Sequence, residues 1–242
     1  MKVLKWSNPG KPILLILIFI LLTGCATTSF KSAPDFTLPA RSQKILLMPM
    51  DVELSTLTAG GILKPEAEWT ENARKNVEKA LLGEMATMDI HLLCPRNVEG
   101  IALSSEEQEK KIQLIKLHEA VGQSILVHQY IPALKLPGKD DAFDWSLGEE
   151  IKLLKEKYGA QHALFVYMRD SYSSSGRVAV FILAAAFGAS ITMGQQVGFA
   201  SLVDLDTGKV VWFNRLARGV GDLRTETAAV ESIKVLLSNF PK

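Results

Sequence analysis

The feature that most constrains this chain is a short, uninterrupted apolar run, Ile13-Leu14-Leu15-Ile16-Leu17-Ile18-Phe19-Ile20-Leu21-Leu22, set behind Lys2, Lys5 and Lys11 with no acidic residue before it. About ten residues of helix rise only ~15 Å, roughly half of a ~30 Å hydrocarbon core, so the run is too short for a comfortable membrane span. A basic start, a short apolar stretch and small residues immediately after it form a secretory signal peptide. Residues 1–24 therefore drop out of the fold, and the rest of the chain is expected to fold outside the cytoplasm.

Directly after the run stands Leu22-Thr23-Gly24-Cys25. It resembles the lipobox of bacterial lipoproteins, Leu-x-Gly-Cys with a small or hydroxylated residue at x. The resemblance implies cleavage after Gly24 and a Cys25 that carries an S-diacylglycerol and an N-acyl group. Two or more acyl chains anchor a protein stably, at ~0.8 kcal/mol per buried methylene. In lipoproteins of diderm bacteria an aspartate after the cysteine retains the protein at the inner membrane; Ala26 departs from that signal. The expected location is the outer membrane, on its periplasmic face.

The whole chain has 242 residues, 27 Lys+Arg against 26 Asp+Glu, 48% hydrophobic and 22% charged residues, enough apolar material for one sizeable domain. Loss of the three signal lysines tips the balance slightly acidic. A nucleic-acid partner is not expected, because phosphate binding needs a basic excess. With Cys25 acylated, Cys94 is the only thiol left, which excludes an internal disulfide and suits a buried strand-end residue.

Residues 25–43, rich in Thr, Ser and Pro without apolar periodicity, read as a lipidated tether. As a flexible coil it would span roughly 25 Å. The domain is then expected over 44–242. Lys44 to Met50 suits a buried strand ending at Pro49. Glu66 to Met88 carries Ala73, Val77, Ala80, Leu81 and Met85 at helical steps. A brief strand over Asp89 to Cys94 precedes a helix begun by Ser104, with Glu106–Lys110 and Glu107–Lys111 as i,i+4 pairs. A helix over Ser146 to Tyr158 ends at Gly159, and Ala163 to Met168 is a strand. Val197–Val203 and Lys209–Asn214 form a hairpin about Asp204-Leu205-Asp206-Thr207-Gly208, where Gly208 supplies a positive φ and the aspartates favour an Asx-turn. Arg224 to Phe240 closes with a helix. The order β-α-β-α-α-β-(apolar segment)-β-β-α describes one α/β sandwich, a mixed sheet with helices packed on it.

Leu47-Met48-Pro49-Met50, the join Tyr158-Gly159-Ala160-Gln161-His162-Ala163 and the hairpin turn Asp204-Leu205-Asp206-Thr207-Gly208 resemble periplasmic lipoproteins with a TolB N-terminal-like domain, including the curli-secretion-channel (CsgG-like) group. The resemblance implies a role in envelope assembly or secretion, with envelope proteins as partners and a homo-oligomer as an option. It implies no reaction.

Val178 to Met193 contains no charge. Burial within the domain or at an oligomer contact is the leading reading, a membrane-touching helix beside the lipid anchor the second, and a flexible lid hinged at Gly176, Gly194 and Gly198 the third.

The sequence carries no recognisable catalytic, cofactor-binding or metal-binding set. His91, His118, His128 and His162 lack zinc-ligand spacing. Gly138-Lys139 and Gly208-Lys209 lack the rest of a phosphate loop. Ser173-Ser174-Ser175-Gly176 is no nucleophile elbow. Trp69, Trp145 and Trp212 could line a sugar groove, although edge packing suits Trp69 and Trp212 better. The expected function is a non-enzymatic, lipid-anchored interaction or assembly module. The alternatives are an enzyme on cell-envelope polymers, with Asp51, Glu53 or Asp170 brought together by folding, and a pore-forming secretion subunit using 178–193.

Overall fold

The computed structural model describes residues 27–34, 36–38, 44–95, 101–139, 142–219 and 221–241. Its centre is β6 (His162–Ser173), a strand whose first seven residues are all buried. Such a run is apolar on both faces because helices cover both sides of the sheet. To one side β6 pairs antiparallel with β7 (Gln196–Asp204), which pairs with β8 (Val210–Arg218), which in turn pairs with β1 (Thr27–Ser32). To the other side β6 runs parallel to β2 (Ile45–Leu47) and, further along, to β3 (Asp51–Leu57). β5 (Leu92–Leu93) extends the sheet beside β2, and β4 (Leu63–Pro65) folds back on β3. The mixed α/β sandwich expected from the sequence is the observed architecture.

Helices α1 (Ala67–Thr87) and α5 (Glu226–Leu236) cover one face, burying Ala73, Val77, Leu81, Ala229 and Ile233 against Leu54, Leu164, Val166 and Trp212. Helices α2 (Ser105–Tyr130) and α3 (Lys152–Tyr158) cover the other face with Leu114, Ile125 and Leu154 over Phe165, Phe199 and Phe213. A fifth helix, α4 (Ser175–Ala186), belongs to neither layer.

Local chemistry sets the boundaries. Ser104 caps α2 through a capping box, its hydroxyl accepting from Glu107 N while the Glu107 carboxylate accepts from Ser104 N. Glu106 pairs with Lys110 at 2.9 Å, whereas Glu107 turns to Lys157 at 2.6 Å rather than to Lys111. Gly159 ends α3 at φ 65, and Gly208 takes φ 72 in the β7–β8 turn. There Asp204 Oδ1 accepts from Asp206 N, Thr207 N and Thr207 Oγ1 at 2.8–3.0 Å, the expected Asx arrangement. Buried Asn214 donates to Leu236 O at 2.9 Å and Ser238 O at 3.1 Å, satisfying carbonyls that the end of α5 leaves open.

Two local features depart from expectation. Within 25–43, read as a tether, Thr27–Ser32 is an edge strand registered on β8 from Thr27↔Ala217 to Ser32↔Trp212. This edge strand is held by main-chain pairing and its residues are exposed or half-exposed, so apolar periodicity does not reveal it. The strand ending at Pro49 also resumes. Leu47 pairs with Leu164 and Asp51 with Tyr167, which leaves one more residue on the β2–β3 side than on β6. Pro49 has no N–H for the ladder, and the bulge it sits in reverses which side chains face which layer.

Candidate functional site

The far end of β6 gathers the features that could act on another molecule. β6 ends at Ser173, β3 at Leu57, and β8 at Arg218, beside the start of β7 at Gln196. The chain enters β1 here as well, since Thr27 pairs with Ala217. Gly24 and Cys25 lie outside the described residues, but only Ala26 separates Cys25 from Thr27.

The acids proposed for an enzyme do not converge. Because of the bulge at Pro49, Val52 and Leu54 join the α1–α5 layer while Asp51 and Glu53 take the alternate positions. Asp51 Oδ1 accepts from Arg169 at 2.8 Å, and Arg169 also lies 3.9 Å from Glu119 on α2. Asp170 belongs to the opposite face. It is 3% exposed, and its carboxylate accepts from the Tyr172 hydroxyl, from Gln196 Nε2 at 3.0 Å and from Leu223 N at 3.2 Å. Burial raises its pKa, against the pull of these three donors. Gln196 continues the network to Ser232, whose hydroxyl donates to Gln196 Oε1 at 2.8 Å. Asp170 therefore ties the loop before α5 to the sheet.

That loop builds an open cleft of about 450 Å³ with Thr56, Trp69, Tyr172, Ser173, Gly194 and Arg224 on its walls. The Arg224 guanidinium lies 3.8 Å from the Tyr172 ring centroid and 4.8 Å from that of Trp69, and the two rings meet edge to face at 5.6 Å. Asp222 holds Arg224 in place through contacts of 2.8 and 2.9 Å. The Arg224 hydrogen bond keeps the Asp222 carboxyl below its usual range, and the same bond raises Arg224. Tyr172 and Arg224 carry no motif, and only folding places them together. Trp69 indeed packs at an element edge, but it also lines this cleft. A second crevice of about 460 Å³ opens at the carboxyl end of β2, between Pro49, Arg74, Lys75, Cys94 and Lys111.

The remaining candidates are structural. Cys94 is buried in the α1–α5 core. Trp212 is a core residue against Phe240, and Trp145 stacks with His128. His118 is buried between Phe165 and Phe199, its Nε2 2.8 Å from Ser201 Oγ, and burial lowers its pKa to about 3. No group of three or more His, Cys, Asp or Glu among the described residues could hold a metal ion.

Residues 178–193 are not buried within the domain. Only Val178 to Ala186 are helical, and α4 has no buried residue; Ile182 and Leu183 are each 62% exposed and Phe187 88%. The two faces of the sheet are already covered by α1–α5 and α2–α3, so α4 projects past the end of β6. No described helix is long and apolar enough to cross a membrane.

No family model matches the chain, and no curated protein matches it. Solved structures similar to it include the PelC dodecamer from Paraburkholderia phytofirmans, at 12% identity and TM-score 0.38, covering 89% of this chain and 99% of that one. The LpoB C-terminal domain from Salmonella enterica is similar at 14% identity and TM-score 0.27, over 75% of this chain and 86% of that one. Likeness at this level leaves function to be read from the chain's own residues.

Proposed function

We propose that this protein is a lipid-anchored envelope lipoprotein whose α/β domain serves as a protein-interaction module at the periplasmic face of the outer membrane. The observation that carries the reading is β1. Cys25, in a segment that resembles a lipobox, is followed after Ala26 alone by a strand paired into the domain, which would join an anchor directly to the fold. The Trp69–Tyr172–Arg224 cleft supports the interaction role. Trp, Tyr and Arg dominate binding hot spots, and here all three are held in place before a partner arrives. The donors gathered on Asp170 and its neighbour Tyr172 support a scaffolding rather than a reacting carboxylate.

The test is made in the native envelope. Fatty-acid labelling of the wild-type protein and of Cys25→Ala reads the anchor, and in-cell cross-linking from the cleft rim reads the partner. Labelling that depends on Cys25, together with a discrete cross-linked protein, is the expected result. An unlabelled wild-type product sinks the anchor; rim cross-links that capture no protein sink the interaction role.

A further inference from the structure

Helix α4 inverts the pattern of a surface helix. Such helices turn their apolar stripe inward and their charges outward. In α4 the half-buried side chains are Arg177, Phe181 and Ala184, while Val178, Val180, Ile182 and Leu183 face out, followed by Phe187. Its sole charge is Arg177, and that guanidinium is turned back onto Thr192 O, at 2.9 Å from Nε, and Ala59 O at 3.4 Å. The β3–β4 turn abuts the start of α4, since a Cβ on Gly176 would sit 3.2 Å from Ala59 Cβ. This turn and the first residue of β4 add Ile62 and Leu63, 71% and 57% exposed, to the same end of the molecule.

We propose that α4, with the β3–β4 turn, docks into the interfacial layer of the bilayer that holds Cys25. The proposal rests on the lipid-anchor reading. Three observations choose lipid as the occupant. The chain enters β1 at the same end of the sheet from which α4 projects, and only Ala26 lies between Thr27 and Cys25. Extended chain covers at most ~3.6 Å per residue, so the acylated sulfur cannot be far from this end. The outward face of α4 carries no charge, whereas a protein interface has a polar rim and roughly one hydrogen bond per 100–200 Å². Finally, α4 has 12 residues, about 18 Å of helix, which is too short to span but suited to lying in the interface.

The experiment uses the full chain recovered from membranes, with Leu183→Cys bearing an NBD fluorophore and Leu82→Cys on α1 as the control. Both sites are exposed, so neither label disturbs the core, and Cys94 is buried. The protein is reconstituted into phosphatidylethanolamine/phosphatidylglycerol vesicles containing a lipid spin-labelled near the headgroup. Blue-shifted emission at 183, quenched several-fold more strongly than at 82, is expected. Vesicle-bound protein with equal, weak quenching at both sites overturns the proposal and leaves the anchor intact. Blue-shifted emission at 183 that the spin-labelled lipid does not quench also overturns it, since a second copy or another protein then covers α4. Protein that does not float with vesicles overturns it too, and the mass of the N-terminal peptide decides whether the anchor falls with it. An unacylated chain that floats and is quenched at 183 supports docking while refuting the anchor.

Discussion

His118 Nε2 lies 2.8 Å from Ser201 Oγ, joining the middle of α2 to the middle of β7 inside an aromatic layer. Burial holds the imidazole neutral down to about pH 3, whereas in the unfolded chain it gains a proton near 6.5. Between those values the unfolded state binds more protons, so this group's contribution to stability falls as pH falls below 6.5 and is flat above it. Relative to His118→Gln, which keeps a donor for Ser201 but does not titrate, the wild-type protein should lose about 2 kcal/mol between pH 7 and pH 5. Urea unfolding at the two pH values measures this. Equal losses in both proteins would show that the imidazole is not buried neutral.

Gly122 should not tolerate alanine. A Cβ there would stand 2.1 Å from the Phe199 ring, which is fully buried and stacked between Tyr167 at 4.7 Å and Phe213 at 5.3 Å. Alanine gains about 1 kcal/mol in helix propensity, but overpacking a rigid ring costs typically about 1–3 kcal/mol. A net fall in melting temperature for Gly122→Ala is expected, with partial recovery in Gly122→Ala/Phe199→Leu.

Two glycines with nearly equal φ should respond differently. Gly159 and Gly208 have φ 65 and 72, but a Cβ at Gly159 meets nothing within 4 Å, while one at Gly208 would lie 2.2 Å from Gly148 O. Gly159→Ala should cost about 1 kcal/mol, the left-handed penalty alone. Gly208→Ala should cost clearly more, because the β7–β8 turn must also move away from the segment before α3. Chemical denaturation of the two variants side by side settles the ranking.

Arg224 and Trp69 should matter to binding more than to folding. Each alanine variant is expected to weaken partner capture by about 30-fold, the equivalent of ~2 kcal/mol for a hot spot. Arg224→Lys should not restore it, because an ammonium lacks the planar face that lies on Tyr172. Titration of captured partner against protein concentration gives the ratio, and a thermal melt run alongside separates binding from folding.

Much of this architecture is legible in the residues. The helical steps of Ala73, Val77 and Leu81, the Ser104–Glu107 cap and the Asp204–Gly208 turn are local signals, and each folds as its chemistry demands. The parts that escape a reading of the sequence are non-local. β1 is made by hydrogen bonds to a partner strand far along the chain, and the site residues Tyr172 and Arg224 meet only through the loop that Asp170 pins. The acids Asp51 and Asp170 both follow apolar runs, which invites a shared cleft. A single extra residue at Pro49 sends them to opposite sides of the sheet. Helix α4 misleads in the other direction, because an uncharged stretch looks like core until the core is seen to be full.

The placement of β1 sets the leash length. With only Ala26 between the would-be acyl site and Thr27, the first described strand residue, an anchored domain would have no rope on which to roam. It would sit like a barnacle, always showing the same side to the periplasm. Were Cys25 acylated, anything that meets the domain would have to come within one domain's height of the lipid, and a protein embedded deep in the peptidoglycan layer would have to send a segment of its own down to it.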